Sequence, residues 1–143
     1  DLERVGDEAE KIGFLASKLA AMDRPPNSYR ELKNMGNHVL HMLRGAMNAF
    51  ARLDVRASYA VVKEDEIADE EYDAIARQCL TFMMEDPRSI KRVMNVTWAA
   101  RSLERIGDHA KNICEYVIYM AEGRDVRHTD LDEMAGESGD EGA

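Results

Sequence analysis

Ser102–Ile113 reads SLERIGDHAKNI, and Asp1–Ile12 reads DLERVGDEAEKI. Seven of the twelve positions agree at a constant offset of 101: Leu2/Leu103, Glu3/Glu104, Arg4/Arg105, Gly6/Gly107, Asp7/Asp108, Ala9/Ala110 and Ile12/Ile113. The apolar pattern around them carries over too. Leu2, Val5, Ala9, Ile12, Ala16 and Leu19 recur in steps of three and four, as do Leu103, Ile106, Ala110, Ile113, Val117 and Met120. Such steps hold one face of a helix towards a neighbour. Likeness at a fixed offset is the mark of a duplicated supersecondary unit.

Working outward, four helical stretches are expected. The first runs from the start to about Met22 and is stopped by Asp23-Arg-Pro-Pro-Asn27, since tandem prolines cannot continue a helix. The second runs from about Ser28 to Leu53, with Leu32, Gly36, Val39, Leu43, Met47, Phe50 and Leu53 on its inner face. Asp54 is a good N-cap for the third, which runs to about Glu85 with Ala57, Val61, Ala68, Tyr72, Ile75, Cys79 and Phe82 inward. Asp86-Pro87 opens the fourth, and Gly123 suits its stop. Short loops between long helices make neighbours antiparallel. The fold class is therefore all-α: an antiparallel up-down three-helix bundle at 28–123, preceded by one extra helix at 1–22. On the repeat reading that first helix closes an earlier unit, and two helices are expected to precede it. A complete four-helix bundle with a chance likeness is the alternative. Residues 124–143 are expected to be a disordered acidic tail.

Composition limits the function classes. The 143 residues carry a net charge of −9, and six of the carboxylates fall in 129–143, a stretch without Lys or Arg. Residues 1–128 are thus only mildly acidic, and nothing in them attracts a phosphate backbone, so no nucleic-acid partner is expected. No apolar run reaches the roughly 18 residues of a membrane span. Cys79 and Cys114 stand in apolar helical stretches without a CxxC, which suits reduced core thiols in a cytosolic protein.

The chemistry is carried by carboxylates. On a helix, i and i+4 share a face. Glu104, Asp108 and Asn112 form one row beside the core seam of the fourth helix; Asp65, Asp69 and Asp73 form another on the third, with Glu66 and Glu70 in a row next to it. Like charges at this spacing repel. If two such rows face each other, either Arg and Lys side chains or a bound cation must offset them. Arg101, Arg105 and Lys111 are at hand for the first option. For the second, oxygen-only ligands suit Mg²⁺, Ca²⁺, Mn²⁺ or iron better than zinc. Gly6 and Gly107 hold equivalent mid-helix places, each costing about 1 kcal/mol against Ala, which points to a close approach by a helix or a ligand.

These residues resemble the PhoU family of phosphate-signalling regulators. The likeness is carried by Ala99-Ala100-Arg101-Ser102-Leu103-Glu104-Arg105-Ile106-Gly107-Asp108 and Asn112-Ile113-Cys114-Glu115. It extends to Tyr72, Met83-Met84-Glu85-Asp86, the acidic Glu64-Asp65…Asp69 and Asp125-Val126-Arg127-His128. It implies two tandem three-helix bundles, of which this chain holds the second and the last helix of the first. It implies a multinuclear metal site with oxygen ligands (iron, manganese, magnesium or zinc) on Asp65, Asp69, Glu104 and Asp108. By position, the site extends to Asn112 and, in the first copy, to Glu3 and Asp7. It implies a cytoplasmic, non-enzymatic negative regulator of phosphate uptake and of the phosphate-starvation response. Its partners would be the phosphate transporter's ATPase and the sensor histidine kinase, and the protein would be a homodimer.

Other residues admit two readings each. His38 and His41 would share a metal or lie at the surface or edge. Trp98, Tyr116 and Tyr119 would form a partner patch or pack at the core and its edge. The methionines would form an adaptable docking surface or fill gaps in the bundle. A metal-binding dimerisation module is an alternative to the regulator. In that case Leu2, Val5 and Ile12 should pack on a second copy or on the bundle. A ferritin-like di-metal enzyme is disfavoured, because no histidine here has a Glu three residues before it.

Overall fold

Local capping chemistry sets the helix ends. The computed structural model describes residues 1–22 and 29–123. They form α1 (Leu2–Ala20), α2 (Arg30–Arg52), α3 (Val55–Glu85) and α4 (Ile90–Glu122). The expected proline loop, the start of the second helix at Ser28, the acidic tail and Asp125–His128 lie outside the described residues. Asp54 caps α3, accepting the Ala57 N–H at 3.0 Å. Asp86 accepts the Arg88 N–H at 3.1 Å. Pro87–Ser89 then makes a single 3-10 turn before α4, whereas a direct helix start was expected. Ser89 donates its hydroxyl to the Asp86 carbonyl at 2.7 Å, which holds that tighter turn. Gly123 ends α4 at φ 70°, the left-handed conformation that glycine adopts without cost.

The chain is all-α. α2, α3 and α4 pack on one another as an antiparallel bundle, while α1 lies, among the described helices, against α4 alone. α1 runs antiparallel to α4: Asp1 meets His109, Glu8 meets Arg105, and Lys18 and Met22 reach the neighbourhood of Lys91 and Met94. Every helix thus contacts α4. One apolar cluster joins Met42, Ala46, Tyr59, Val62, Ala110, Cys114 and Ile118. A second joins Met35, Val39, Ile75, Cys79, Val93, Val96 and Ile106, and draws in Val5 and Leu19 of α1. Both cysteines are buried and free, and burial raises the Cys114 thiol to about 12.

The seam of α4 matches its expected residues except at its ends, where Leu103 is half-buried and Met120 is exposed. Two other seams are rotated from expectation. In α2 the buried stripe is Met35, Val39, Met42, Ala46 and Ala49, while Met47, Phe50 and Leu53 face outward. Leu53 is instead the left-handed residue, φ 51°, of the two-residue turn into α3. In α1 the buried set is Val5, Glu8, Leu15 and Leu19, with Ile12 half-buried; Leu2, Ala9 and Ala16 are exposed. On α3, Phe82 is exposed. Trp98, Tyr116 and Tyr119 are each about half exposed, so they sit at edges and not in the core.

The offset of 101 reappears as geometry. Glu8 bonds Ser102, and its image, His109, contacts Asp1 at 2.9 Å. Glu8 also pairs with Arg105 at 3.4 Å. The image of that contact is Arg4 beside His109, where burial first, and then neighbouring charges including Arg4, lower the imidazole pKa. A cleft of about 440 Å³ between the helices is lined by four pairs at that offset: Arg4/Arg105, Asp7/Asp108, Glu8/His109 and Lys11/Asn112. α1 and α4 are therefore related by a local pseudo-two-fold axis through this cleft.

The register of α2 is open to a direct check. Met42→Ala is expected to cost about 2–5 kcal/mol, as for a fully buried large side chain. Met47→Ala should change stability by no more than about 0.5 kcal/mol. Urea denaturation of the two variants measures this, and the opposite ranking would contradict the packing described here.

Candidate metal centre

The two expected acidic rows do face each other, across the α3–α4 contact. Asp65, Asp69 and Asp108 each bring a ligand oxygen to within 4.8 Å of the other two. Asp65 is the inner member, only 3% exposed. It lies over Gly107, where an added Cβ would sit 3.5 Å from Asp65 Oδ1 and 3.9 Å from both Met42 and Val39. Those two residues belong to different apolar clusters, so the Asp65 carboxylate occupies the junction between them. These are ordinary van der Waals distances, so α3 covers Gly107 closely without the space itself demanding a glycine. Its counterpart Gly6 meets nothing within 4 Å among the described residues, so the close approach expected at both glycines is present at Gly107 alone.

Electrostatics follow from this placement. Burial, and then the negative neighbours Asp69 and Asp108, push the Asp65 pKa up to about 7. Asp69 and Glu104 are likewise raised, by burial first and by Asp108 next. Burial raises Asp108, against the opposing pull of Lys111 and His109. One cation lies close among the described residues: Lys111 Nζ is 3.7 Å from Asp65 Oδ2. The other oxygen, Asp65 Oδ1, is buried without a hydrogen-bond partner among the described residues. A buried carboxylate oxygen left unpaired is costly. A donor set of three carboxylates with one unsatisfied buried oxygen fits a hard cation, which accepts several oxygen ligands without needing nitrogen or sulfur.

The remaining expected ligands are placed differently. Glu104 flanks the trio and adds to its negative field, one turn before Asp108. Asn112 and Asp7 line the α1–α4 cleft, on which Asp108 also borders. Glu3 is exposed on α1, and Asp73 is exposed on α3. Sequence reading missed a second carboxylate partnership. His38, only 20% exposed at its side chain, meets Glu71 through Nδ1 and Glu64 through Nε2, the latter at 3.5 Å, and His41 lies 3.9 Å from Glu64. The carboxylates come from α3 and not from α2, so spacing within α2 could not show them; Glu64 and Glu71, seven residues apart, were the available signal. Each His38 nitrogen meets a different carboxylate, so the arrangement clasps α2 to α3 and offers no common coordination point.

The chain is similar along most of its length to known proteins. A PhoU domain family model matches residues 32–117. The chain is 50% identical over 137 residues to a phosphate-specific transport system accessory protein PhoU homolog of Pseudomonas putida, covering 96% of this chain and 54% of that one. It is 41% identical over 134 residues to the phosphate-specific transport system accessory protein PhoU of Escherichia coli K12, covering 94% and 55%. The crystal structure of PhoU from Pseudomonas aeruginosa superposes with a TM-score of 0.83 at 48% identity, over 87% of this chain and 59% of that one. The chain spans about half the length of the curated relatives it matches.

A pH dependence follows from Asp65. A raised pKa means that the folded chain holds this proton more tightly than the unfolded chain, whose value is near 3.8. In metal-free protein its contribution therefore lowers stability as pH rises from about 4 to about 7, by at most about 1.4 kcal/mol per pH unit for one proton. Asp65→Asn removes this component. In EDTA the variant is expected to melt above the unaltered chain at pH 8, with the gap closing towards pH 4. Equal melting temperatures at pH 8 would contradict an ionised Asp65 whose burial outweighs its pairing with Lys111.

Proposed function

This chain belongs to the PhoU family, and from that membership we propose that it forms the second repeat, with the closing helix of the first, of an accessory regulator of phosphate uptake. The observation that carries the reading is the likeness along almost the whole chain to proteins named as accessory components of phosphate-specific transport. The pseudo-two-fold relation of α1 to α4 supports assigning 1–22 to an earlier repeat and 28–123 to the second. The empty face at Gly6 fits the same assignment, since its counterpart Gly107 is covered by α3.

The protein acts by contact and not by catalysis; no residue is assigned a catalytic role. It holds phosphate uptake and the phosphate-starvation response down when phosphate is plentiful. Its partners are the transporter's ATPase and the sensor histidine kinase, met at the cytoplasmic face, and it works as a homodimer. Exposed apolar side chains at Leu40, Met47 and Phe50 on α2 support docking through helical faces. No described helix is long and apolar enough to cross a membrane. Asp65, Asp69 and Asp108, with Glu104 beside them, bind a hard divalent cation that neutralises and stiffens the α3–α4 face.

Two measurements test these statements separately. The full-length parent should be retained on the immobilised transporter ATPase or sensor kinase, and should restore repression in a deletion strain. Failure of both would overturn the regulator reading. Millimolar Mn²⁺ should raise the melting temperature of the full chain, since a ligand of the folded state alone adds RT ln(1 + [L]/Kd) of stability. Asp65→Asn combined with Asp108→Asn should abolish the rise; an undiminished rise in that variant would place the ion elsewhere.

A further inference from the structure

α4 carries Lys111 three residues after Asp108, so its side chain reaches the same edge of the helix. Its ammonium is 3.7 Å from Asp65 Oδ2 and 4.0 Å from Glu115 Oε1. It lowers the proton affinity of Asp65, Asp69 and Asp108 alike, so its field covers the whole trio. The side chain is about one-third exposed, and it ends in a point charge on a flexible stem. Asp65 itself is buried, and its Oδ1 has no hydrogen-bond partner among the described residues, so the ammonium satisfies the carboxylate only on one side.

We propose that Lys111 is a tethered competitor at the tri-aspartate site: its ammonium compensates the cluster when no metal is bound, and a divalent cation must displace it. This rests on the metal reading given above. Glu115, one turn further along α4 and only 7% exposed, already shares the ammonium and provides its destination. The charge leaves the carboxylates without having to leave the helix face.

The repeat supplies an independent comparison. α1 keeps Leu2-Glu3-Arg4 and Gly6-Asp7 but carries Glu10 at the place of Lys111. The shared motif therefore does not demand a lysine there. The two copies carry opposite charge at that place, so an acidic site built on α1 would lack the internal competitor. Lys111 thus sets the affinity of the α4 site below that of a site with the α1 pattern, and it favours ions whose charge outweighs a single ammonium.

The test is Mn²⁺ titration of the full chain by calorimetry, at near-neutral pH and low ionic strength. Lys111→Met is expected to bind Mn²⁺ about tenfold more tightly, as removal of a unit charge some 4 Å away predicts. It should also melt below the unaltered chain in EDTA and recover that loss in Mn²⁺. Lys111→Arg, which keeps the charge and the fold, should bind within about twofold of the unaltered chain. If Lys111→Met binds no tighter while Asp65→Asn abolishes binding, the competitor role is overturned and the metal site stands. If neither the unaltered chain nor Lys111→Met binds Mn²⁺, both readings fall.

Discussion

A carboxylate buried where two apolar clusters meet is the constraint around which this bundle is arranged. Asp65 lies over the backbone of Gly107, with Val39 and Met42 on either side. Water is largely excluded from it, and two further aspartates stand within ligand distance. Such a group is tolerated only if it is protonated, paired or metal-bound. Each of those options is represented locally: a pKa raised to about 7, a lysine at 3.7 Å, and three converging oxygens. The site is therefore one electrostatic problem that protonation, the lysine or a cation held by the three oxygens would each solve.

α4 is the element that lets this happen. Among the described helices it alone packs on all the others, so its two long faces must serve two partners. One face closes the α2–α3 bundle; the other pairs with α1 about a local pseudo-two-fold axis. Asp108 borders both the tri-aspartate site and the α1–α4 cleft. A cation at the first location consequently alters the charge of the second, where Arg4, Arg105 and His109 gather. Glu8 shows how polar that second interface is. Burial would raise its pKa, but Ser102, Lys11 and Arg105 outweigh burial and hold it low.

Much of this was legible in the sequence. Asp54, Asp86-Pro87 and Gly123 gave the helix ends because capping is local chemistry. The α4 seam and the separate rows at Asp65/Asp69 and Glu104/Asp108 followed from helical period; that the rows face each other is a tertiary fact. The seams of α1 and α2 were misread for a physical reason. α2 has apolar residues on more than one face: Met47 and Phe50 point outward, while Met35 and Met42 are buried and Ala46 and Ala49 allow close packing beside them. In α1 a glutamate occupies a seam position, which no hydrophobic pattern reveals; Arg105 and Lys11, the latter only three residues away, make it tolerable. The His38 clasp and the reach of Lys111 are tertiary facts, since neither depends on spacing within one helix only.

The central claim is that the α3–α4 edge is a cation site in which Asp65 is the inner ligand. Anomalous diffraction from crystals of the full chain soaked in Mn²⁺ tests it most directly. The account predicts a peak within coordination distance of Asp65, Asp69 and Asp108, with the Lys111 ammonium turned towards Glu115. A map with no peak there, and Lys111 still against Asp65, would contradict it.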